Sequence, residues 1–359
     1  MKNAHLKLIA GLTALMIAAP AAGQSLEETL SDMIGDNAKL YLGPVVTAFG
    51  TTVNSGTFRI ARPHKVLGFD LTLNVSMAML PDAAKTFDWY ISPDAAVTIP
   101  VQLPGQPKKD VTLSLDDLYE TDRSTSTFFG SAKPDTYQVA VDEDGAVDLL
   151  SAELVAAGIP QIAVDEASSQ LRTLIRNWIP PLGTPGILDV PFSLMIVPQA
   201  SLGLPLGIEV TLRGIPDISL GDAGKLSFFG YGAKIGLNQF IPTIPLVFPA
   251  FSVGYYATNL NVADIIEANN GILTLQISKS VPFLTVYGGL GLESSKMSVE
   301  YEFVPEDLPP STIKFDLEGK NKTRIMLGGR LKLALLSINA DYNGGEYKAY
   351  NIGIGLTLR

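Results

Sequence analysis

The chain has two histidines, His5 and His64, and no cysteine. It therefore makes no disulfide, thiolate metal centre or thiol nucleophile, and one imidazole beyond the leader cannot build a histidine metal cluster. A hydrolase would have to recruit His64 as its base, with Ser55 and Asp70 as the nearest hydroxyl and carboxylate in sequence. No G-x-S-x-G elbow supports that arrangement, and His64 beside Lys65 reads as a loop or rim residue. Catalytic residues, a metal and a cofactor are accordingly not expected.

The charged residues carry more information through their spacing. In Leu67–Leu80, Phe69, Leu71, Leu73 and Val75 alternate with Asp70, Thr72 and Asn74; in Leu206–Arg213, Ile208, Val210 and Leu212 alternate with Glu209, Thr211 and Arg213. Further on, Glu300 and Glu302 alternate with Val299, Tyr301 and Phe303, Arg324, Arg330 and Lys332 alternate with apolar residues of 323–333, and Ile352, Ile354 and Leu356 alternate with Asn351, Gly353 and Gly355. A period of two is a strand with one apolar and one polar face. At about 3.3 Å per residue, the first of these runs extends roughly 40 Å, well beyond the usual soluble strand.

Hydrophobic residues make up 47% of the chain and charged residues 17%, yet past the leader no apolar run is long enough for a spanning helix. The nearest, Phe240–Ala257, contains Pro242, Pro245 and Pro249, which break helices. Alternating strands reconcile the two facts, because a transmembrane barrel carries its apolarity on every second residue. The expected fold is all-β: a transmembrane antiparallel β-barrel of roughly ten to fourteen strands, with an N-terminal helix and a long loop or partial plug containing short helices. Phe69, Leu71, Leu73, Val75, Ile208, Val210, Leu212, Ile352, Ile354 and Leu356 would face lipid. Asp70, Thr72, Asn74, Glu209, Thr211, Arg213, Glu300, Glu302, Arg324, Arg330 and Lys332 would face a hydrated lumen.

The organisation fits export. Lys2 and Lys7 precede an apolar stretch from Leu8 to Ala19 and then small residues, the layout of a signal peptide over 1–23 cleaved near Gly23. Residues 24–60 follow as a helical segment, opened by Ser25 and Glu28 in capping-box spacing and running to about Leu42, that would plug the lumen or lie in the periplasm. Residues 61–359 would form the barrel, interrupted by a loop or insert over 104–190 with short strands near 111–115 and 136–141 joining it to the barrel. The 36 acidic against 26 basic residues, a formal charge of −10, argue against a nucleic-acid partner, since no excess of Lys and Arg is free to neutralise phosphates.

Asn37–Tyr90 and Ala200–Pro242, above all Arg62-Pro63-His64-Lys65 before Gly68-Phe69-Asp70 and Arg213-Gly214-Ile215-Pro216 before Gly230-Tyr231-Gly232-Ala233-Lys234, resemble a family of uncharacterised bacterial proteins predicted to be outer-membrane barrels. In shape that family is similar to the fatty-acid-transporter (FadL-like) barrels. The resemblance implies a bacterial outer-membrane channel for small molecules, hydrophobic ones among them, and brings no ligand residues with it. Membrane lipids, the outer-membrane assembly machinery and a small hydrophobic solute are the expected partners. A structural or surface-interaction barrel and a soluble periplasmic β-protein are the alternatives.

Overall fold

The computed structural model describes residues 35–219, 225–240, 248–262, 265–303 and 311–358, with backbone alone at 301–303 and 311–313. The expected signal peptide and the Ser25–Glu28 capping pair lie outside the described residues. In chain order come helix α1 (Asp36–Val53) and strand β1 (Phe69–Met79). Short strands β2 (Thr86–Asp88), β3 (Ala96–Val101), β4 (Lys109–Ser114) and β5 (Ser124–Ser126) follow, then helices α2 (Pro134–Tyr137), α3 (Glu143–Ala156), α4 (Gln161–Glu166) and α5 (Ser168–Trp178). Ten further strands complete the chain: β6 (Phe192–Leu204), β7 (Ile208–Ser219), β8 (Lys225–Gly236), β9 (Ala250–Val262), β10 (Ile266–Ser280), β11 (Leu284–Phe303), β12 (Ser311–Glu318), β13 (Thr323–Leu333), β14 (Leu336–Gly344) and β15 (Lys348–Leu358).

All neighbouring strands of the large sheet pair antiparallel, and the β10–β11 pairing closes it into a barrel. β11 serves two partners on one edge: Leu284–Leu292 pairs with β13 and Lys296–Phe303 with β12, so β12 and β13 stand end to end as one stave. The barrel thus has ten staves, at the lower end of the range expected from sequence. No described helix is long and apolar enough to cross a membrane. Tight turns hold the register. Between β6 and β7, Leu206 and Gly207 both have positive φ, 62° and 63°, the pair of left-handed residues that matches a hairpin to the strand twist.

The outer wall carries a broad apolar belt. Leu290, Ile325, Leu327 and Ile352 are each 57–63% exposed, and Leu71, Leu212, Tyr231, Tyr255, Leu275, Ile354 and Leu356 are exposed with them. Toward one end the polarity inverts. There Asn259, Glu267, Asn269, Lys296, Lys314 and Glu318 face outward, while Leu260, Ile266, Met297, Val299, Phe315 and Leu317 are buried inside. Glu300 belongs to this outward polar set and pairs with Lys314 at 2.6 Å, which corrects the expectation that it faces the lumen. A period of two defines two faces without saying which one is inside. Glu302 falls among the residues described by backbone alone.

Ala83–Asp189 forms a separate compact unit. The insert therefore begins at Ala83 rather than at 104, and it has a core of its own in which Ile99, Leu118, Leu150, Leu171 and Ile175 are fully buried. α3 starts on Asp142, whose carboxylate accepts from the Gly145 N–H at 3.0 Å, a helix N-cap. Its strands do not join the barrel: β4 pairs with β3, and the stretch near 136–141 is the end of α2 followed by single bridges at Val139 and Val141. Pro134, rigid in φ and lacking an N–H, suits the first turn of a helix.

Candidate functional site

α1 lies inside the barrel, packed against β1, β6, β10, β11, β12 and β15. It buries apolar residues along its whole length, Ala38, Tyr41, Leu42, Val46, Ala48, Phe49 and Val53, and its second half adds the hydroxyls of Thr47, Thr51 and Thr52. The hydroxyls enter where the wall changes from the apolar lining of the inverted end to a mainly polar lining at the height of the belt. Gly50 marks the closest approach: a Cβ there would run into the Ser295 side chain and meet Asn270 Oδ1 at 3.0 Å.

The C-terminal end of α1 lacks a basic residue of its own, and the barrel wall supplies two. Arg324 donates through Nη2 to the Thr51 carbonyl (2.9 Å), and Arg213 donates to the Val53 and Ser55 carbonyls (2.7 and 3.2 Å). Guanidinium groups here satisfy carbonyls the helix leaves open and meet the negative end of its dipole. Arg324 also pairs with Glu293 at 2.9 Å and donates to Ser55 Oγ at 2.8 Å, and Asn54 Nδ2 donates to the same Glu293 oxygen at 3.0 Å.

Beyond the helix the chain runs on through the lumen. Gln199 donates to the Thr57 carbonyl (3.2 Å), and Phe58 meets Tyr287 edge to face, with ring centroids 5.7 Å apart. Arg59 and Arg330 clamp the two oxygens of Asp70 at 2.8 and 2.9 Å, and the Thr72 hydroxyl donates to the same carboxylate. Lys234 bridges the Ile60 carbonyl (2.8 Å) and Glu209 (2.9 Å). Glu209 accepts in turn from the His64 backbone N–H at 3.0 Å and lies 2.7 Å from His64 Nδ1. Among the described residues five Arg and Lys side chains and four carboxylates are buried here: Arg59, Arg330, Lys234 and Arg324 pair with Asp70, Glu209 and Glu293, while Arg213 rests on carbonyls and Asp341 accepts from Tyr287, Asn343 and Asn351. Near balance is what burial requires, since an unpaired charge here would be very costly.

Of the residues singled out from sequence, Asp70, Thr72, Asn74, Glu209, Thr211, Arg213, Arg324 and Arg330 are buried within the lumen, and Lys332 is half-buried at the end of β13. Phe69, Leu71, Leu212, Ile352, Ile354 and Leu356 are exposed on the outer wall, with Leu73, Val75, Ile208 and Val210 partly so. Thr72 and Asn74 are buried among neighbours, so a large charged side chain there would overpack. Ser55, His64 and Asp70 do not act as a group. Ser55 donates to the Thr51 carbonyl, Asp70 is held by the two arginines, and His64 turns to Glu209. Arg59, Asn54, Lys234, Glu293 and Asp341 escaped the sequence reading. Lys234 alternates with Ala233 and Ile235 and was open to the same argument, whereas Arg59 sits in a stretch with no period.

A model described as a family of unknown function (DUF6588) matches residues 1–358. No curated protein matches the chain. Among solved structures, in-vitro folded OmpT, an outer membrane protein of Vibrio cholerae in its trimer form, is 10% identical at a TM-score of 0.22, and the match covers 45% of this chain and 55% of that one. The chain therefore spans about half the length of that protein. A bacterial polysaccharide outer membrane secretin is 8% identical at a TM-score of 0.24, over 82% of this chain and 100% of that one. Both likenesses are slight.

Proposed function

We propose that this chain, which belongs to the family of unknown function DUF6588, is an outer-membrane β-barrel that acts as a channel for small molecules and is held shut by its own residues 36–64. The belt of exposed apolar side chains supports insertion, because exposed apolar surface on that scale is disfavoured in water and belongs against hydrocarbon. Membrane lipids and the outer-membrane assembly machinery are then its partners.

The observation that carries the gate is the chemistry of the contact. At belt height the threaded segment is held chiefly by guanidinium, carboxylate and hydroxyl groups, which water can replace when the segment withdraws, with Phe58 in a small apolar cluster of Tyr256, Ile272, Tyr287 and Met326. An apolar seal would have no such substitute. The buried amide of Asn270 has no hydrogen-bond partner among the described residues, which also suits a lumen that takes up water. That lining favours small polar solutes over the hydrophobic ones the fatty-acid-transporter resemblance implies. A surface-interaction role is the second reading, favoured by Ile162 and Trp178, exposed on the inserted unit.

A crosslink separates them. The Thr52 and Ser193 hydroxyl oxygens are 3.4 Å apart, and in a chain without cysteine the double variant Thr52→Cys, Ser193→Cys forms a single disulfide. In planar bilayers the oxidised protein is expected to stay closed and to recover openings on reduction, and deletion of residues 25–50 is expected to raise single-channel conductance. A deletion protein that folds as a heat-modifiable barrel with unchanged conductance would reject the gate and favour the second reading.

A further inference from the structure

The barrel wall is split along part of one seam. β6 pairs with β7 only from Gln199–Leu204 against Ile208–Arg213. Beyond that point Phe192–Pro198 stays with β1, and Gly214–Ser219 stays with β8 across a register shift between Ile215 and Ile218. Each lip carries a proline, Pro198 and Pro216, so each has one backbone position with no N–H to leave unpaired. That matters because an open sheet edge toward hydrocarbon is normally forbidden by its unsatisfied donors. Gly214, at φ +155°, sits at the fork with its α-carbon too close to the Phe228 carbonyl for a side chain.

The split opens outward as a groove of about 740 Å³, a size that suits an extended apolar ligand. Its lining carries Leu73, Pro198, Ala200, Leu212, Ile215 and Phe229, with the polar Asp217 and Ser227 beside them and Gln199 and Arg213 on its inner side. The groove is continuous with the apolar belt, so what reaches it in a membrane is hydrocarbon. We infer that the β6–β7 seam holds one acyl chain of a membrane lipid, packed in the wall where the missing ladder would otherwise lie. This rests on the membrane reading of the belt, and the test separates the two.

The protein is reconstituted in vesicles of phosphatidylethanolamine and phosphatidylglycerol containing a phosphatidylcholine with a diazirine in its acyl chain, irradiated, and mapped by peptide mass spectrometry. Labelling is expected to be several-fold higher at Pro198, Ile215 and Phe229 than at other belt positions such as Leu290 and Ile325, and Ala200→Phe, which fills the floor, should bring it down to the belt level. Even labelling of the whole belt in the unaltered protein would overturn the seam site and leave the membrane reading standing. No labelling anywhere on the belt would overturn both. Rapid reaction of Ile215→Cys with a membrane-impermeant thiol reagent in the same vesicles would show water in the seam and overturn the site alone.

Discussion

Replacing Arg324 by alanine is expected to destabilise the barrel by about 3 to 5 kcal/mol, the usual consequence of removing one partner of a buried ion pair. Arg324 is among the largest fully buried side chains, and its guanidinium holds three groups together: the Glu293 carboxylate, the Ser55 hydroxyl and the Thr51 carbonyl at the end of α1. Without it Glu293 keeps only the Asn54 amide, and the helix end loses half of its cationic cap. Thermal unfolding in detergent should show the loss, and bilayer recordings should show more frequent openings because the same contact anchors the segment. The double variant Arg324→Met, Glu293→Gln removes both charges and should recover most of the stability while leaving the helix end loosened. Lysine at 324 should recover only part, since a compact ammonium cannot reproduce the fork that spans Glu293 and Thr51. If Arg324→Ala melts with the unaltered protein, the lumen network does not anchor the segment.

Leu327→Arg is expected to cost about 2 to 4 kcal/mol in lipid, whereas Ser298→Arg should stay within about 0.5 kcal/mol. Both side chains point outward from the wall, Leu327 on β13 within the apolar belt and Ser298 on β11 beside Lys296 and Glu300. Leu327 is already 61% exposed, so in a water-soluble barrel an arginine there would displace no packing and would be harmless. A position buried in a core would be penalised in either setting. Folding yield into liposomes and unfolding midpoints in urea would measure the difference. Equal tolerance at the two positions would place both in water.

The alternation that exposes β1, β7, β13 and β15 in the sequence is strong because each has one face against packed lumen residues and another on the belt, and the two environments select opposite residue types. The phase of the alternation is less legible. In Met297–Phe303 the apolar residues are as regular as in Leu67–Leu80, yet Met297 and Val299 are buried inside and Glu300 is outside, because that part of the wall rises beyond the belt. Nothing in the local pattern distinguishes the two cases. α1 is obscured for a different reason. The stretch from Gly43 onward, with Gly43, Pro44, Gly50 and several β-branched residues, is poor helix sequence, and it is enclosure in the barrel, where backbone groups must pair with one another, that carries the helix on to Val53. The lumen network was legible only where it fell on periodic strands. Asp70, Glu209, Arg213 and Arg324 stood out on this ground, and Arg59 and Asn54, in the aperiodic segment that they meet, did not. The inserted unit showed as an insert over 104–190, but its start at Ala83 and its own core were hidden because its small sheets and helices share no period with the barrel.

The central claim is that the belt faces lipid and the inverted end faces water, and nitroxide accessibility tests it directly. In a chain without cysteine, single labels at Leu356→Cys on the belt of β15 and at Lys296→Cys on the inverted end of β11 report on each region alone. In lipid vesicles the account predicts relaxation by dissolved oxygen at 356, with little effect of a water-soluble nickel chelate, and the reverse at 296. Strong relaxation by the nickel chelate at both positions would contradict it.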